Sequence, residues 1–303
     1  MARGRTVEGV VSPVVSVVMP TFNHGHLIAR AIESVRQQTY PHWELLVIDN
    51  HSTDNTQEVV DGFKDPRVRI LKIHNNGIIA ASRNMGVAQA VSPWVAFLDS
   101  DDWWESDKLA VCVDRLGDAV DVLYHDLALV GGATGWLARK KIQCWQTRVP
   151  VLQDLLVRGN ALATSAVLAR RELLLAVAGK IVDPQFSAAA DFACWLNLAQ
   201  LTDKFEFLPR TLGAYLLHGQ GVSRRDMSVP TAKACEPFLA ALDARELRAH
   251  KAWIGYARGR YLFVNGQPAA AMEALRDVLK AGAWALRLKA SWMMASYYLG
   301  FAR

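Results

Sequence analysis

Three aspartates lie within four positions of the sequence FLDSDDWW, directly after the apolar run WVAFL. Asp99, Asp101 and Asp102 repel one another unless a cation lies among them. Carboxylate oxygens are ligands that suit Mg²⁺ or Mn²⁺. The alternative is a solvated acidic turn in which Asp102 caps the start of a helix. The cluster therefore predicts a divalent-metal site or a helix start, and the neighbouring elements must discriminate between the two.

Strands and helices alternate over the first third of the chain. Apolar runs predict four buried strands, at 14–20, 43–49, 67–73 and 93–99. Apolar residues at helical spacing predict intervening helices, at 23–38, 52–63 and 77–90. Asn23 is the candidate cap of the first helix, and Ser52 or Thr53 that of the second. This alternation predicts a parallel sheet with helices on both of its faces.

Polar residues follow three of the predicted strands. They are residues 21–23, 49–50 and 99–102. Ligands of such sheets bind beyond the carboxyl ends of the strands, so we expect the three groups to meet in one ligand site. No GxGxxG or GxxxxGK[ST] loop follows the first strand, which disfavours a dinucleotide dehydrogenase and a P-loop NTPase. The phosphates of a nucleotide would then be held through a cation that bridges them to carboxylates.

The C-terminal quarter differs from the rest in composition. Residues 231–303 contain 11 Lys and Arg against 5 Asp and Glu, a net charge of +6 in a chain whose total is +5. Two helices are expected to flank NGQP at 265–268, after a helix at 188–200 and strands at 205–209 and 211–217. The basic charge indicates an anionic partner.

The sequence gives few signs of a compartment other than the cytosol. Cys112, Cys144, Cys194 and Cys235 have no CxxC spacing and are expected to be free thiols. The first residues lack the apolar segment of a secretory signal, and no run approaches the roughly 20 apolar residues that span a bilayer. We expect a cytoplasmic protein, with a peripheral position on the inner face of the cell membrane.

Five segments in order resemble the family 2 glycosyltransferases of the GT-A fold. The first strand runs into PTFN and the second into DNHSTD, followed by GIIAASRNMG, the DXD-like FLDSDDWW, the acidic helix AAADFACWLNLA and the late YLLHGQGVS. The similarity covers about residues 13–225. It implies an α/β GT-A fold, which is a Rossmann-like, mostly parallel sheet flanked by helices, here with a helical C-terminal extension. It also implies a role in bacterial glycan biosynthesis.

The resemblance implies a domain division. Residues 1–12 would be an N-terminal tail and residues 13–228 the catalytic domain. Within that domain, 13–105 would be the nucleotide-binding half and 106–228 the acceptor-binding half. Residues 229–303 would form a basic helical region.

The resemblance also implies roles for individual residues. Asp101 and His218 would hold Mn²⁺ or Mg²⁺, and Asp191 would be the general base. The remaining binding positions would contact the nucleotide sugar: Pro20, Thr21, Phe22, Asn23, Asp49, Arg83, Asp99 and Ser100. Asp49 would accept a hydrogen bond from the nucleobase, and Arg83 would contact the diphosphate or the base. Trp103, Trp104 and Ser165 are weaker candidates for the acceptor site.

Plainer structural roles remain open for several of these residues. His218 and the two tryptophans could belong to the core, Arg83 to a solvated helix face, and Asp191 to a helix N-terminus. Two positions also depart from the family pattern. Asn50 stands where a second Asp is commoner, and Ala190 replaces the acid that usually precedes the base.

The implied reaction is inverting, metal-dependent transfer of a sugar from a nucleoside-diphosphate donor, with a UDP-sugar favoured. The acceptor would be a glycan or a lipid-linked molecule. The diphosphate gains charge as it leaves and needs a cation, while the acceptor hydroxyl needs one base. The alternatives are a nucleotidyltransferase, which would want a basic, glycine-rich first loop, and a catalytically degenerate sugar-binding or scaffold protein.

The C-terminal segment 284–303 combines tryptophans, methionines and tyrosines with Arg287, Lys289 and Arg303. This composition is typical of a helix that lies on an anionic membrane surface, and equally of a helix packed on the catalytic domain. Nucleic-acid binding is disfavoured because no recognised motif accompanies the charge.

Overall fold

The computed structural model describes residues 6–7, 10–11, 14–131, 141–142, 144–180, 188–218, 225–282 and 284–298. Residues 219–223 of the YLLHGQGVS segment and residues 299–303 at the C-terminus lie outside this part. None of the helices within it is long and apolar enough to cross a membrane.

In the described part of the chain, nine strands form one sheet and two short strands pair separately. The short pair is β1 (Thr6–Val7) with β2 (Val10–Val11). The strands of the large sheet are β3 (Val15–Thr21), β4 (Trp43–Asp49), β5 (Val68–Lys72), β6 (Trp94–Phe97), β7 (Trp103–Trp104), β8 (Val122–Val130), β9 (Lys141–Ile142), β10 (Leu168–Arg170) and β11 (Phe205–Leu216).

The large sheet has a parallel half and a mixed half. Its order is β5-β4-β3-β6-β10-β8-β11-β7, with β9 paired to β8. Strands β5, β4, β3 and β6 run parallel, as the sequence predicted. Strand β10 is antiparallel to both of its neighbours, β11 is parallel to β8, and β7 is antiparallel to β11. The carboxyl ends of β3, β4 and β6 therefore lie together.

The central strands are buried on both faces. All seven residues of β3 and all seven of β4 are buried, which is typical of parallel strands covered by helices on each side. Two polar residues in this layer are paired with each other, because the Ser16 hydroxyl donates to Glu44 at 2.5 Å, and the Val91 amide donates to the same carboxylate at 2.9 Å. The sheet can therefore bury Glu44 without an unmatched acceptor.

Helices of irregular length connect these strands. They are α1 (Ile28–Arg36), α2 (Thr56–Gly62), α3 (Ile79–Gln89), α4 (Lys108–Val113), α5 (Val151–Arg158), α6 (Arg171–Val177) and α7 (Ala190–Ala199). Helix α1 buries Ile28, Ala31, Ile32 and Val35, the face that its apolar spacing predicts. These side chains join the core that also contains Trp43.

The predicted helix caps were wrong. Helix α1 begins at Ile28, five residues after Asn23, and Asn23 has a positive φ of 53°. Its side-chain oxygen accepts from the Thr53 amide at 2.8 Å. Helix α2 begins at Thr56, and Ser52 donates to Asp49. These two side chains therefore bind loop and strand-end residues instead of capping a helix.

Two strands predicted at 205–209 and 211–217 form one strand, β11. Its pairing with β8 continues from Phe205 to Leu216 and changes register between Leu208 and Thr211 and again between Thr211 and Ala214. The turn-like residues of the sequence FEFLPRTLGAYL thus mark irregularities within a strand.

The C-terminal region is helical, as predicted. It contains α8 (Ser228–Cys235), α9 (Ala244–Val264), α10 (Pro268–Ala281) and α11 (Trp284–Tyr298). Asp243 caps α9, because its carboxylate accepts from the Arg245 and Glu246 amides at 2.7 and 2.8 Å. Helices α9 and α10 flank NGQP, and buried side chains of α9, α10 and α11 form a core of their own that includes Leu262, Leu275 and Ala290.

The described residues group into two compact units. The first draws on 1–147, 161–184 and 197–219, and the second on 148–160, 185–196 and 220–303. The domain boundaries expected from the sequence remain a prediction.

We predict that Gly86→Ala destabilises the first unit. A Cβ at Gly86 would lie 2.3 Å from Cγ1 of Val18, which is buried in β3. Because α3 must move away from the sheet to make room, the expected loss is about 1–3 kcal/mol in the free energy of unfolding. Urea denaturation measures it.

Gly62→Ala is the matched control. This glycine ends α2, and a Cβ there meets nothing within 4 Å. Alanine favours the helix by up to about 1 kcal/mol over glycine, so this variant should be as stable as the parent or slightly more so. Equal stabilities for the two variants would contradict the close contact between α3 and β3.

Candidate functional site

The loops that follow β3, β4 and β6 are joined by hydrogen bonds. The Asn50 amide donates to the Thr21 carbonyl at 3.0 Å, and the Asn23 amide donates to the Ser52 hydroxyl at 2.8 Å. The Leu98 amide donates to the carbonyl of Val18 at 3.1 Å. The polar groups that the sequence placed at one edge of the sheet therefore do meet there.

Each carboxylate of the acidic loop at 99–102 has a different partner. Arg83 of α3 donates to Asp99 at 2.7 Å. Nε2 of His218 lies 2.8 Å from Oδ2 of Asp101. Asp102 accepts from the Ser165 hydroxyl at 2.6 Å and from the Leu216 amide at 3.1 Å. Each of the three neighbouring aspartates therefore has its own hydrogen-bond partner.

Asp102 is a structural residue of this loop. It is 1% exposed, so it does not form the solvated helix cap that was the alternative in the sequence. Burial raises the pKa of the Asp102 carboxyl well above its usual range, and the charges of Asp101 and Asp99 add to this rise. The hydrogen bonds from Ser165 and Leu216 oppose it. Asp102 thereby ties the loop to the end of β11 and to the segment before β10.

His24 is a site residue that the sequence analysis missed. Its Nδ1 lies 2.8 Å from the Ser100 hydroxyl, and its ring centroid lies 6.0 Å from that of His218. Burial lowers the pKa of His24, although Asp101 opposes this shift. Its position directly after PTFN was the available signal. An imidazole thus stands beside the acidic loop in addition to His218.

Asp49 is fully buried at the end of β4. Its carboxylate accepts from the Ser52 amide at 3.1 Å, from the Ser52 hydroxyl at 2.5 Å and from Nζ of Lys72 at 2.5 Å. Thr21 lies opposite Asp49 in the neighbouring strand, and its buried hydroxyl has no hydrogen-bond partner among the described residues. An unsatisfied buried hydroxyl beside a carboxylate is typical of a ligand-binding position.

The other residues predicted to bind the nucleotide lie close by. Pro20 is buried within β3, and Ser100 is buried in the acidic loop. Phe22 is 52% exposed, so one face of its ring is available to a planar ligand. Asn23 holds the loop at 52–53, as described above. The nucleotide contacts of all these residues remain predictions.

Two of the three acceptor candidates are buried in the described structure. Trp104 is 3% exposed and its indole donates to the Ser165 carbonyl at 2.7 Å, so its ring is in the core. Ser165 is 2% exposed, and its hydroxyl donates to Asp102 and accepts from the Asp99 amide at 3.1 Å. Both residues position the acidic loop. Trp103 is half-buried with the Arg30 guanidinium 3.6 Å above its ring, and its acceptor role stays a prediction.

The donor set suits a divalent cation held by two side chains. Asp101 offers a carboxylate, and His218 offers an imidazole beside it in space. Mn²⁺ accepts both types of ligand readily, whereas Mg²⁺ prefers oxygen ligands. Within the described residues, no three His, Cys, Asp or Glu side chains converge on one metal position. A bound nucleotide diphosphate and water would have to supply the remaining ligands.

Asp191 belongs to the second compact unit. It lies half-buried in the first turn of α7, where the helix dipole stabilises a negative charge. Its role as general base remains a prediction.

A buried lysine lies against Trp104, which supports the acidic loop. Lys108, at the start of α4, is fully buried, and its Nζ lies 3.5 Å above the Trp104 ring. Burial lowers the pKa of Lys108 to about 7 and that of His125, on β8, to about 3. Neither Lys108 Nζ nor His125 Nε2 finds a hydrogen-bond partner in the described part of the chain. This polar pair should cost stability whenever it is protonated.

The sequence matches that of known families and proteins. Residues 16–167, half of the chain, match the model of a family described as Glycosyl transferase family 2. Over 99 residues the chain is 38% identical to a putative teichuronic acid biosynthesis glycosyltransferase of Bacillus subtilis, covering 32% of this chain and 39% of that protein.

A second relative is the UDP-Glc:alpha-D-GlcNAc-diphosphoundecaprenol beta-1,3-glucosyltransferase of Escherichia coli. The identity is 41% over 118 residues, covering 39% of this chain and 47% of that protein. The chain thus matches less than half of the length of either relative.

Solved structures with the same fold cover almost the whole chain. Residues 1–349 of S. aureus TarS in complex with UDP-GlcNAc superpose with a TM-score of 0.64 at 19% identity, covering 94% of this chain and 92% of that one. A mannosyltransferase from Pyrobaculum calidifontis in complex with GDP-Man and Mn²⁺ superposes with a TM-score of 0.57 at 20% identity, covering 98% and 83%. At these identities the likeness concerns the fold, which is GT-A.

We predict that Lys108→Met raises the free energy of unfolding, and that the increase is larger at pH 7 than at pH 10. The pKa of Lys108 is about 7 in the folded chain and 10.5 when exposed, so the unfolded chain binds more protons between these values. Stability of the parent should therefore rise with pH from about 7 to 10.5, and the variant should lack this rise. Thermal unfolding at pH 7 and pH 10 measures the difference in stability between the variant and the parent. This difference should be smaller at pH 10.

Lys251→Met is the control, since Lys251 is exposed on α9 and its replacement should not change the pH dependence. A Lys108→Met variant that is less stable than the parent by the same amount at both pH values would mean that the ammonium stays charged on the Trp104 ring.

Proposed function

Because the chain belongs to the family 2 glycosyltransferases, we propose that it transfers a sugar from a nucleoside-diphosphate donor, with a UDP-sugar favoured. The acceptor is a glycan or a lipid-linked molecule in bacterial envelope or exopolysaccharide assembly. The observation that carries this proposal is the meeting of Asp49, Arg83, Asp99 and the Asp101–His218 pair at one edge of the sheet.

In the proposed reaction the acidic loop and α3 hold the diphosphate. Arg83 has a planar guanidinium that matches phosphate oxygens, and its bond to Asp99 orients it at the loop. Asp101 and His218 hold Mn²⁺ or Mg²⁺, a choice supported by the mannosyltransferase of the same fold, which was solved in complex with Mn²⁺. When bound, such a cation stabilises the charge that develops on the leaving diphosphate.

The surroundings of Asp49 favour a base with a ring N–H beside a carbonyl, which uracil, thymine and guanine have and cytosine and adenine lack. A carboxylate has about four acceptor positions, and Ser52 and Lys72 occupy most of them. The remaining position suits the single N–H of uracil, and the ammonium of Lys72 suits the carbonyl beside it. Cytosine and adenine present a ring nitrogen that accepts, which a carboxylate repels. The exposed ring of Phe22 supplies a stacking surface for the base.

In an inverting direct displacement, Asp191 would act as the general base. Its carboxylate takes the proton of the acceptor hydroxyl as that oxygen attacks the sugar carbon and the diphosphate leaves from the opposite side. Asp191 is the acid of α7 in the position of the family's base, whereas the adjacent position is Ala190. The base therefore has no neighbouring carboxylate in this helix that could replace it.

The proposed acceptor places the reaction at the inner face of the cell membrane. The relative from Escherichia coli has a name that specifies a diphosphoundecaprenol-linked acceptor, and that from Bacillus subtilis a name that specifies teichuronic acid biosynthesis. Trp103 remains the candidate sugar platform on this chain.

We predict that UDP binds with Mn²⁺ and much more weakly without it. Calorimetry should show a loss of affinity of at least about tenfold in Asp101→Ala, because the cation loses its charged ligand. Asp191→Asn is the control: it should bind UDP with Mn²⁺ like the parent and fail in transfer. If the parent bound none of UDP, GDP, dTDP and CDP, the degenerate-protein alternative would replace this proposal.

Base selection supplies a second prediction. Lys72→Met should weaken UDP binding by about tenfold, the value of one hydrogen bond from a charged donor. The same substitution should weaken CDP binding much less, so the ratio of the UDP affinity to the CDP affinity should fall. Competition calorimetry with UDP and CDP measures this ratio.

Lys141→Met is the matched control, because Lys141 is also a half-exposed lysine that pairs with a buried aspartate, Asp126, at 2.6 Å. Its UDP affinity should equal that of the parent. Equal weakening of UDP and CDP in Lys72→Met would show that Lys72 does not read the base.

A further inference from the structure

Helix α11 exposes three large apolar side chains along one face. Trp284, Leu288 and Trp292 are 75%, 60% and 71% exposed. Residues four apart lie above one another on a helix, so the three form a continuous stripe, called here the Trp–Leu–Trp stripe. Side chains of this size are usually buried, and contiguous exposed ones mark a binding surface.

The opposite face of α11 packs into the core of the second unit. Ala290 is 0% exposed and Met293 7%, and both contact that core. The helix therefore has one apolar face that the protein covers and a second that it leaves to solvent. The stripe is a separate feature and does not result from a helix that has failed to pack.

Two cations flank the stripe, one on each side. Arg287 and Lys289 are exposed and directly precede and follow Leu288. At about 100° per residue they project to opposite sides of the stripe. An apolar band with a positive charge on each side matches the boundary between the acyl chains and the anionic headgroups of a bilayer.

We propose that the Trp–Leu–Trp stripe docks into the interfacial region of an anionic lipid bilayer. Tryptophan rings favour the depth of the headgroups, and the long stems of Arg287 and Lys289 let their charges reach lipid phosphates. The net charge of +6 in residues 231–303 adds long-range attraction to such a surface. Helix α11 then lies parallel to the membrane.

A second copy of this chain fits the stripe less well. The three side chains expose roughly 450 Å², whereas a stable protein interface needs about 800 Å² from each partner. In a two-fold pair the flanking cations of one copy would also face those of the other, which repels. A bilayer needs no shape complementarity and offers charge of the opposite sign.

This inference rests on the proposed function in one respect: only the proposed function requires the protein to reach a lipid-linked acceptor. The inference adds the surface that would contact the membrane. The exposure and packing of α11 do not depend on that function. The membrane-docking proposal and the proposed function can therefore be refuted separately.

The test is sedimentation of the full chain with vesicles. The parent should bind vesicles of phosphatidylcholine and phosphatidylglycerol, and bind phosphatidylcholine alone at least about tenfold more weakly. The double variant Trp284→Ser/Trp292→Ser should lose at least about tenfold in affinity. The double variant Arg287→Gln/Lys289→Gln should lose about thirtyfold on anionic vesicles.

The control variants are Val264→Ser, which removes a valine that is 75% exposed on α9, and Lys64→Gln, which removes an exposed lysine of the first unit. Both should bind vesicles like the parent. All variants should keep the circular-dichroism spectrum of the parent, because every substituted side chain is exposed.

Three results would overturn the proposal. They are no binding of the parent to anionic vesicles, unchanged binding of the tryptophan variant, or a parent dimer in gel filtration that the tryptophan variant abolishes. Calorimetry with UDP and Mn²⁺, without vesicles, separates this failure from that of the proposed function. Binding of UDP without vesicle binding overturns only the membrane surface, and vesicle binding without binding of UDP, GDP, dTDP or CDP overturns only the proposed sugar transfer.

Discussion

The buried carboxylate of Asp102 is the constraint on which the candidate site depends. It accepts from Ser165 and from the Leu216 amide, so it joins the loop after β6 to the segment before β10 and to the end of β11. Because Asp102 is held inside, Asp99 and Asp101 point to partners nearer the surface, Arg83 and His218. Each of the three aspartates therefore has its own partner, and Asp99 and Asp101 stay accessible to a ligand.

The layer behind this loop contains polar groups that the core does not satisfy. Lys108 lies on the Trp104 ring and His125 lies in β8, each buried without a hydrogen-bond partner for Nζ or Nε2 among the described residues. Burial lowers the pKa of both side chains, so the fold is most stable when they are neutral. Stability lost at such positions is typical of regions that support a functional site.

The GT-A fold brings the nucleotide-side residues of the proposed reaction to the carboxyl ends of parallel strands, where ligands of such sheets bind. The proposed base, Asp191, belongs to the second compact unit, together with the basic helices. In the proposed function the loops that follow β3, β4 and β6 provide the donor site, Asp191 provides the base, and α11 provides a surface for the membrane on which a lipid-linked acceptor lies.

The sequence by itself determined the alternation of strands and helices, the buried strands β3 and β4, the edge where the polar loops meet and the family resemblance. Hydrophobic periodicity is a local property of a chain, and motif spacing is visible without coordinates. Only the tertiary structure decided what each polar side chain contacts. Asn23 and Ser52 proved to bind neighbouring loops, Trp104 and Ser165 proved to support the acidic loop, and His24 and Lys72 joined the site from strands and loops distant in sequence. Such partners depend on which strand ends become neighbours, and that is set by the packing of the whole sheet.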